Sequence, residues 1–138
     1  MVDLEKIKKI IIRGDFEESI DKLNIILSLD NKNIDAMYLL AVSQEKLGDN
    51  KKAIKTYKKA LDLNTDVPET HFNMGSLLQR QGKNEEAMTS YKKAIDFEPQ
   101  NEEIYRNLSK SLIAIEKFDD AIKYLETAIS INNTNPDA

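Results

Sequence analysis

Apolar residues in this chain recur with the spacing of one helical face. Between Gly48 and Gly82, Ala53, Ile54, Tyr57, Ala60, Leu61 and Leu63 follow the i, i+3, i+4, i+7 pattern of an amphipathic helix. Between Glu102 and Glu116 the same spacing runs through Ile104, Tyr105, Leu108, Leu112 and Ile115. Short polar stretches such as Pro99-Gln100-Asn101 interrupt these runs. A shift of 34 residues superposes the pattern on itself: Gly14-Asp15-Phe16-Glu17-Glu18-Ser19-Ile20 returns as Gly48-Asp49-Asn50-Lys51-Lys52-Ala53-Ile54 and as Gly82-Lys83-Asn84-Glu85-Glu86-Ala87-Met88. A fourth copy, Glu116-Lys117-Phe118-Asp119-Asp120-Ala121-Ile122, keeps the phase without the glycine. Each period reads as two helices with a left-handed turn residue between them, so the pattern predicts eight helices of about 12 to 14 residues.

Small residues recur where helices must approach. Ala41, Gly75 and Ser109 form one series on the first helix of each pair; Ala53, Ala87 and Ala121, and Ala60, Ala94 and Ala128, form two on the second. Bulky neighbours alternate with them: Leu40, Met74 and Leu108, then Tyr57, Tyr91 and Leu125. Such alternation lets helical hairpins interdigitate at interior density.

These residues resemble the tetratricopeptide repeat family over nearly the whole chain. The third period fits best, with Met74-Gly75, Leu78, Ala87, Tyr91, Ala94 and Pro99 at signature places and His71 where an aromatic is usual. The second departs at Gln44, where a large apolar residue is expected, and at Thr65 in place of proline. The first opens with Asp3 and Lys6 at apolar places, as a capping helix would. The resemblance implies an all-α, right-handed superhelical solenoid of four helix-turn-helix repeats in one array spanning 1–138. The repeats fall at about 1–33, 34–67, 68–101 and 102–135, with 136–138 beginning a further repeat or forming a tail.

Composition narrows the function. With 20 basic and 24 acidic residues the net charge is −4, and no basic face exists to neutralise phosphates, so nucleic acid is not an expected partner. Cysteine is absent, which removes disulfides, thiolate nucleophiles and cysteine zinc sites. His71 is the only histidine and falls on a packing position, so neither a metal nor another cofactor is expected. No phosphate loop or nucleophile motif is present, so the expectation is a protein that is not an enzyme. The run Ile10-Ile11-Ile12 is too short for a membrane span, and a cytoplasmic location without membrane attachment is expected.

The expected function is therefore a scaffold or adaptor that binds a protein or peptide partner in a groove lined by the first helix of each repeat, as the resemblance implies. Three rows line it at 34-residue intervals: Tyr38, Phe72 and Arg106; Asn73 and Asn107, preceded by Leu39; and Val42, Ser76 and Lys110. Aromatic rings supply apolar contact at low entropic cost. Asparagine amides both donate and accept, which suits a peptide backbone, and in similar arrays they clamp it. Arg106 and Lys110, one turn apart, suit a carboxylate or form a solvated face. The acidic row Asp35, Glu69, Glu103 and Asp137 reads as helix-start carboxylates. The family's two-carboxylate clamp for chaperone tails does not fit: either register keeps one asparagine and sets Glu103 or Glu69 where a lysine belongs.

A second reading is self-association. Pro136-Asp137-Ala138 matches the opening of earlier periods, and the last helix, around Phe118 to Ile131, is expected to leave Ala121, Ile122, Leu125, Ala128 and Ile129 partly uncovered. A homodimer or a longer repeat array would cover that face.

Overall fold

The computed structural model describes residues 3–64 and 66–134. They are all-α, as expected: eight helices, α1 (Leu4–Arg13), α2 (Phe16–Leu29), α3 (Ile34–Lys46), α4 (Asn50–Leu63), α5 (Pro68–Arg80), α6 (Asn84–Phe97), α7 (Glu102–Ala114) and α8 (Phe118–Thr134). Each odd-numbered helix packs on the even-numbered helix that follows it. The helices gather into two compact units, one within 1–65 holding α1 to α4 and one within 66–138 holding α5 to α8. Among the described residues no helix is long and apolar enough to cross a membrane.

In the first unit, Ile7, Leu23, Ala36, Leu39 and Leu40 form a buried cluster against which Leu4, Ile11, Ile20, Ile26, Leu27 and Tyr38 pack. Asp3, which interrupts the apolar pattern, is the N-cap of α1: its carboxylate accepts from the Glu5 backbone N–H at 3.0 Å. Lys6 is exposed, while Ile7 and Ile10 carry the buried face of α1. Ser19 stands where later repeats have alanine. Its hydroxyl meets Ser43 Oγ at 2.8 Å across α2 and α3, and Ser43 donates to the Leu39 carbonyl at 2.9 Å. Two buried hydroxyls thereby satisfy each other and the backbone. Gln44 is explained likewise, because its amide oxygen accepts from Thr56 Oγ1 at 2.7 Å, a polar bond from α3 to α4 in place of apolar contact.

The second unit is built around Tyr91, which is fully buried. The small residue opposite it is required sterically, since a Cβ on Gly75 would lie 2.9 Å from the Tyr91 ring. Leu77, Leu78, Ile104, Leu108 and Leu112 complete the interior. Pro68 opens α5 at the first turn, where its missing N–H costs nothing. The turn between paired helices is left-handed in every repeat: φ is 89° at Gly14, 87° at Gly48 and 78° at Gly82. Glu116 takes φ 63° at the same place, so the fourth turn keeps its shape although it has lost its glycine.

Three expectations are corrected or fall outside the description. Ala121 and Ala128 are buried, at 1% and 3% exposure, because the small face of α8 is the one that packs on α7. Leu63 is exposed, since it lies at the last residue of α4, past the reach of the packed stripe. Thr65, Pro136, Asp137 and Ala138 lie outside the described residues.

Candidate functional site

Tyr38 and Val42 lie on α3 in the first unit, both half-buried. Phe72, Asn73 and Ser76 on α5, all half-buried, share the second unit with Arg106, Asn107 and Lys110 on α7. The six residues of the second unit are brought to adjacent helices, for α5 and α7 touch. Each ring tilts over the tyrosine of its own repeat: Tyr38 on Tyr57 at 6.3 Å and 55°, Phe72 on Tyr91 at 5.9 Å and 58°. Such tilted contacts anchor a ring on the interior while leaving one edge outward.

Below these rings lies a polar link that the sequence analysis missed. The Tyr91 hydroxyl donates toward Gln79 Oε1 at 3.1 Å and lies 3.2 Å from Ser76 Oγ. Gln79 Nε2 reaches across to α7, donating to the Asn107 carbonyl at 2.8 Å and to Ser111 Oγ at 2.9 Å. One glutamine thus ties α5, α6 and α7 together. In the first unit the Tyr57 hydroxyl donates to Glu45 Oε1 at 3.1 Å, the same arrangement one period earlier. A signal for it existed: Glu45 and Gln79 each precede their tyrosine by twelve residues, and where Leu125 replaces tyrosine, Ile113 replaces the acceptor. Burial raises the Tyr91 pKa above its ordinary value, with the Ser76 hydrogen bond opposing the shift in part. Burial likewise raises that of Tyr105, helped by the neighbouring Tyr124.

The charged residues behave unequally. Arg106 Nε is paired with Glu102 Oε1 at 2.8 Å, one turn back on its own helix. That pair is partly exposed and contributes about 0–1 kcal/mol, so an incoming carboxylate can displace it at little cost. Lys110 is exposed. Among the described residues no bond engages the Asn107 side-chain amide, although its backbone carbonyl is used by Gln79. Asp35, Glu69 and Glu103 each lie in the first turn of α3, α5 or α7, where a carboxylate meets the positive end of the helix dipole. His71 is buried and stacks on Phe97 with centroids 6.2 Å apart and 14° between planes. Among the described residues no three His, Cys, Asp or Glu side chains converge as a metal site requires.

Comparison with known proteins agrees with this architecture. A TPR repeat family model matches residues 45–82 and 80–114, and a tetratricopeptide repeat model matches 102–135. The chain belongs to the tetratricopeptide repeat family. Tetratricopeptide domains serve in general as protein–protein interaction modules. Among solved structures, a crystal structure of MamA matches with a TM-score of 0.90 at 22% identity, covering 94% of this chain and 76% of that one. MamA 41-end from Desulfovibrio magneticus RS-1 gives 0.87 at 17% identity, covering 95% and 74%. MamA AMB-1 gives 0.84 at 17%, covering 91% and 69%. At these identities the likeness is one of tetratricopeptide fold. No curated protein matches the sequence.

Proposed function

We propose that this tetratricopeptide array is an adaptor, not an enzyme, that binds an extended segment or helix of a partner protein along its leading helices. Phe72, Asn73, Ser76, Arg106, Asn107 and Lys110 supply the contacts in the second unit, and Tyr38 and Val42 the equivalent ones in the first. The observation that carries this reading is the Gln79 bridge, which holds α5 to α7 through the Asn107 backbone and leaves the Asn107 amide available. A preorganised amide that both donates and accepts suits a peptide backbone. Arg106, lightly held by Glu102, supplies a second contact for an acidic side chain or a terminal carboxylate. A reducing, cytoplasmic setting forms part of the proposal, resting on the lack of cysteine.

The test is affinity capture from a cell extract followed by titration of the captured protein. Because Phe72 packs on buried Tyr91, the decisive variant is Asn107→Ala/Lys110→Glu, which leaves the interior untouched. The partner should bind at about micromolar affinity to wild type and at least about tenfold more weakly to the variant. Equal binding by both folded proteins would remove the leading-helix surface as the functional one.

A second reading is self-association through α8. Ile122 and Ile129 are 53% and 61% exposed, whereas Met88, the equivalent of Ile122 one period earlier, is 9% exposed on a helix that α7 packs against. Leu125 between them is half-buried. A homodimer through this face predicts a concentration-dependent mass by light scattering that Ile122→Lys/Ile129→Lys abolishes.

A further inference from the structure

A different surface of the first unit has the makings of a docking site. Two adjoining depressions, of about 380 and 440 Å3, share Glu17 and Leu47 in their walls. Their apolar part consists of Phe16 and Ile20 from α2, both half-buried, and Leu47 at the end of α3, which is 46% exposed. Around it stand five carboxylates, Asp15, Glu17, Glu18, Asp21 and Asp49, against one lining cation, Lys52. Arg13 is shared between Asp15 at 2.9 Å and Glu18 at 3.1 Å, and Lys52 lies 3.5 Å from Asp49. Glu17 and Asp21 have no paired cation among the described residues.

The repeat itself does not call for this arrangement. Glu17 and Asp21 lie one turn apart on α2, a like-charge spacing that opposes the helix slightly. The equivalent residues of α4 are Lys51 and Lys55, of opposite sign, on the same fold. Helix-dipole stabilisation accounts for Glu17 in the first turn, but not for Asp21 beyond it. The place of Leu47 is held by Gln81 in the next repeat. An exposed leucine beside two unpaired carboxylates is thus particular to this position.

We infer that the Ile20–Leu47 groove docks a basic amphipathic segment of a partner protein, seating an apolar side chain on Leu47 and placing lysines or arginines one turn away against Glu17 and Asp21. The argument is charge complementarity over an apolar floor: the floor supplies burial, and the unpaired carboxylates select the sign of the flanking residues. This surface is separate from the leading-helix residues assigned above, so neither reading depends on the other.

The probe is a fluorescein-labelled helical peptide with leucines one turn apart flanked by lysines, titrated by fluorescence anisotropy. Its leucine-to-serine counterpart is the control. Glu17→Lys/Asp21→Lys and Leu47→Gln borrow residues that the next repeat carries at equivalent positions, and circular dichroism verifies that both variants fold. Glu86→Lys/Asp96→Lys, on exposed positions of α6, makes the same change in net charge elsewhere. The expected result is binding weakened at least about tenfold by the α2 pair and about fivefold by Leu47→Gln, with less than about a twofold change from the α6 pair. Three outcomes overturn the inference: no binding by wild type, equal weakening by both charge pairs, or indifference to Leu47→Gln. A dimer seen by light scattering and dissolved by Glu17→Lys/Asp21→Lys would also overturn it, by making a second copy the occupant.

Discussion

The fourth turn offers a quantitative test of the fold. Glu116 adopts φ 63° where the other three turns have glycine at 78° to 89°. An L-residue held in the left-handed region costs about 1–2 kcal/mol, and glycine there costs nothing sterically. Glycine also gives the unfolded chain more freedom, which takes back about 0.5–1 kcal/mol. Glu116→Gly should therefore stabilise the protein by a net of about 0.5–1 kcal/mol, raising Tm by about 1–4 °C in a chain of this size. Glu116 is exposed, and among the described residues its side chain enters no hydrogen bond or ion pair, so the change removes little else. The reverse substitution isolates the backbone contribution. A Cβ on Gly82 meets nothing within 4 Å, so Gly82→Ala introduces no clash and its destabilisation, about 1 kcal/mol, comes from φ alone. Urea unfolding followed by circular dichroism reads both, with the slope checked because repeat arrays can lose two-state behaviour. A destabilised Glu116→Gly, or a Gly82→Ala as stable as wild type, would show that these turns are not left-handed in solution.

Two further outcomes follow from the packing. Ala87 is fully buried on α6, and Ala87→Leu should overpack the α5–α6 hairpin and cost about 1–3 kcal/mol; an unchanged melting temperature would mean that the helical register is wrong. The raised pKa of Tyr91 makes stability depend on alkaline pH: the unfolded tyrosine loses its proton near its ordinary value of 10.0, the folded one only above it. This contribution is complete below pH 10 and is lost as pH rises through the folded pKa. Tyr91→Phe should unfold more readily at neutral pH yet show a shallower loss of stability above pH 10, and an identical alkaline slope in the two proteins would contradict the burial argument.

Much of the architecture was legible in the residues alone. Helical periodicity, the 34-residue phase, the alternation of small and large positions and the persistence of a turn at Glu116 all arise from local geometry: a side chain's face on a helix follows from its place in the chain. The candidate residues Phe72, Asn73, Asn107 and Lys110 could be assigned to leading helices on the same ground. What each of those side chains touches was a different matter. That Asp3 caps α1, that Gln44 bonds Thr56, that Glu102 holds Arg106 and that Gln79 spans three helices depend on distances between elements and on rotamers chosen by packing. The burial of Ala121 and Ala128 beside exposed Ile122 depends on which side of α8 meets α7. The groove of Ile20 and Leu47 exists only because α2 lies beside the end of α3. Periodicity along a chain reports which face is apolar; the neighbour that the face meets, and the polar atoms that come within reach when it does, are decided by tertiary packing.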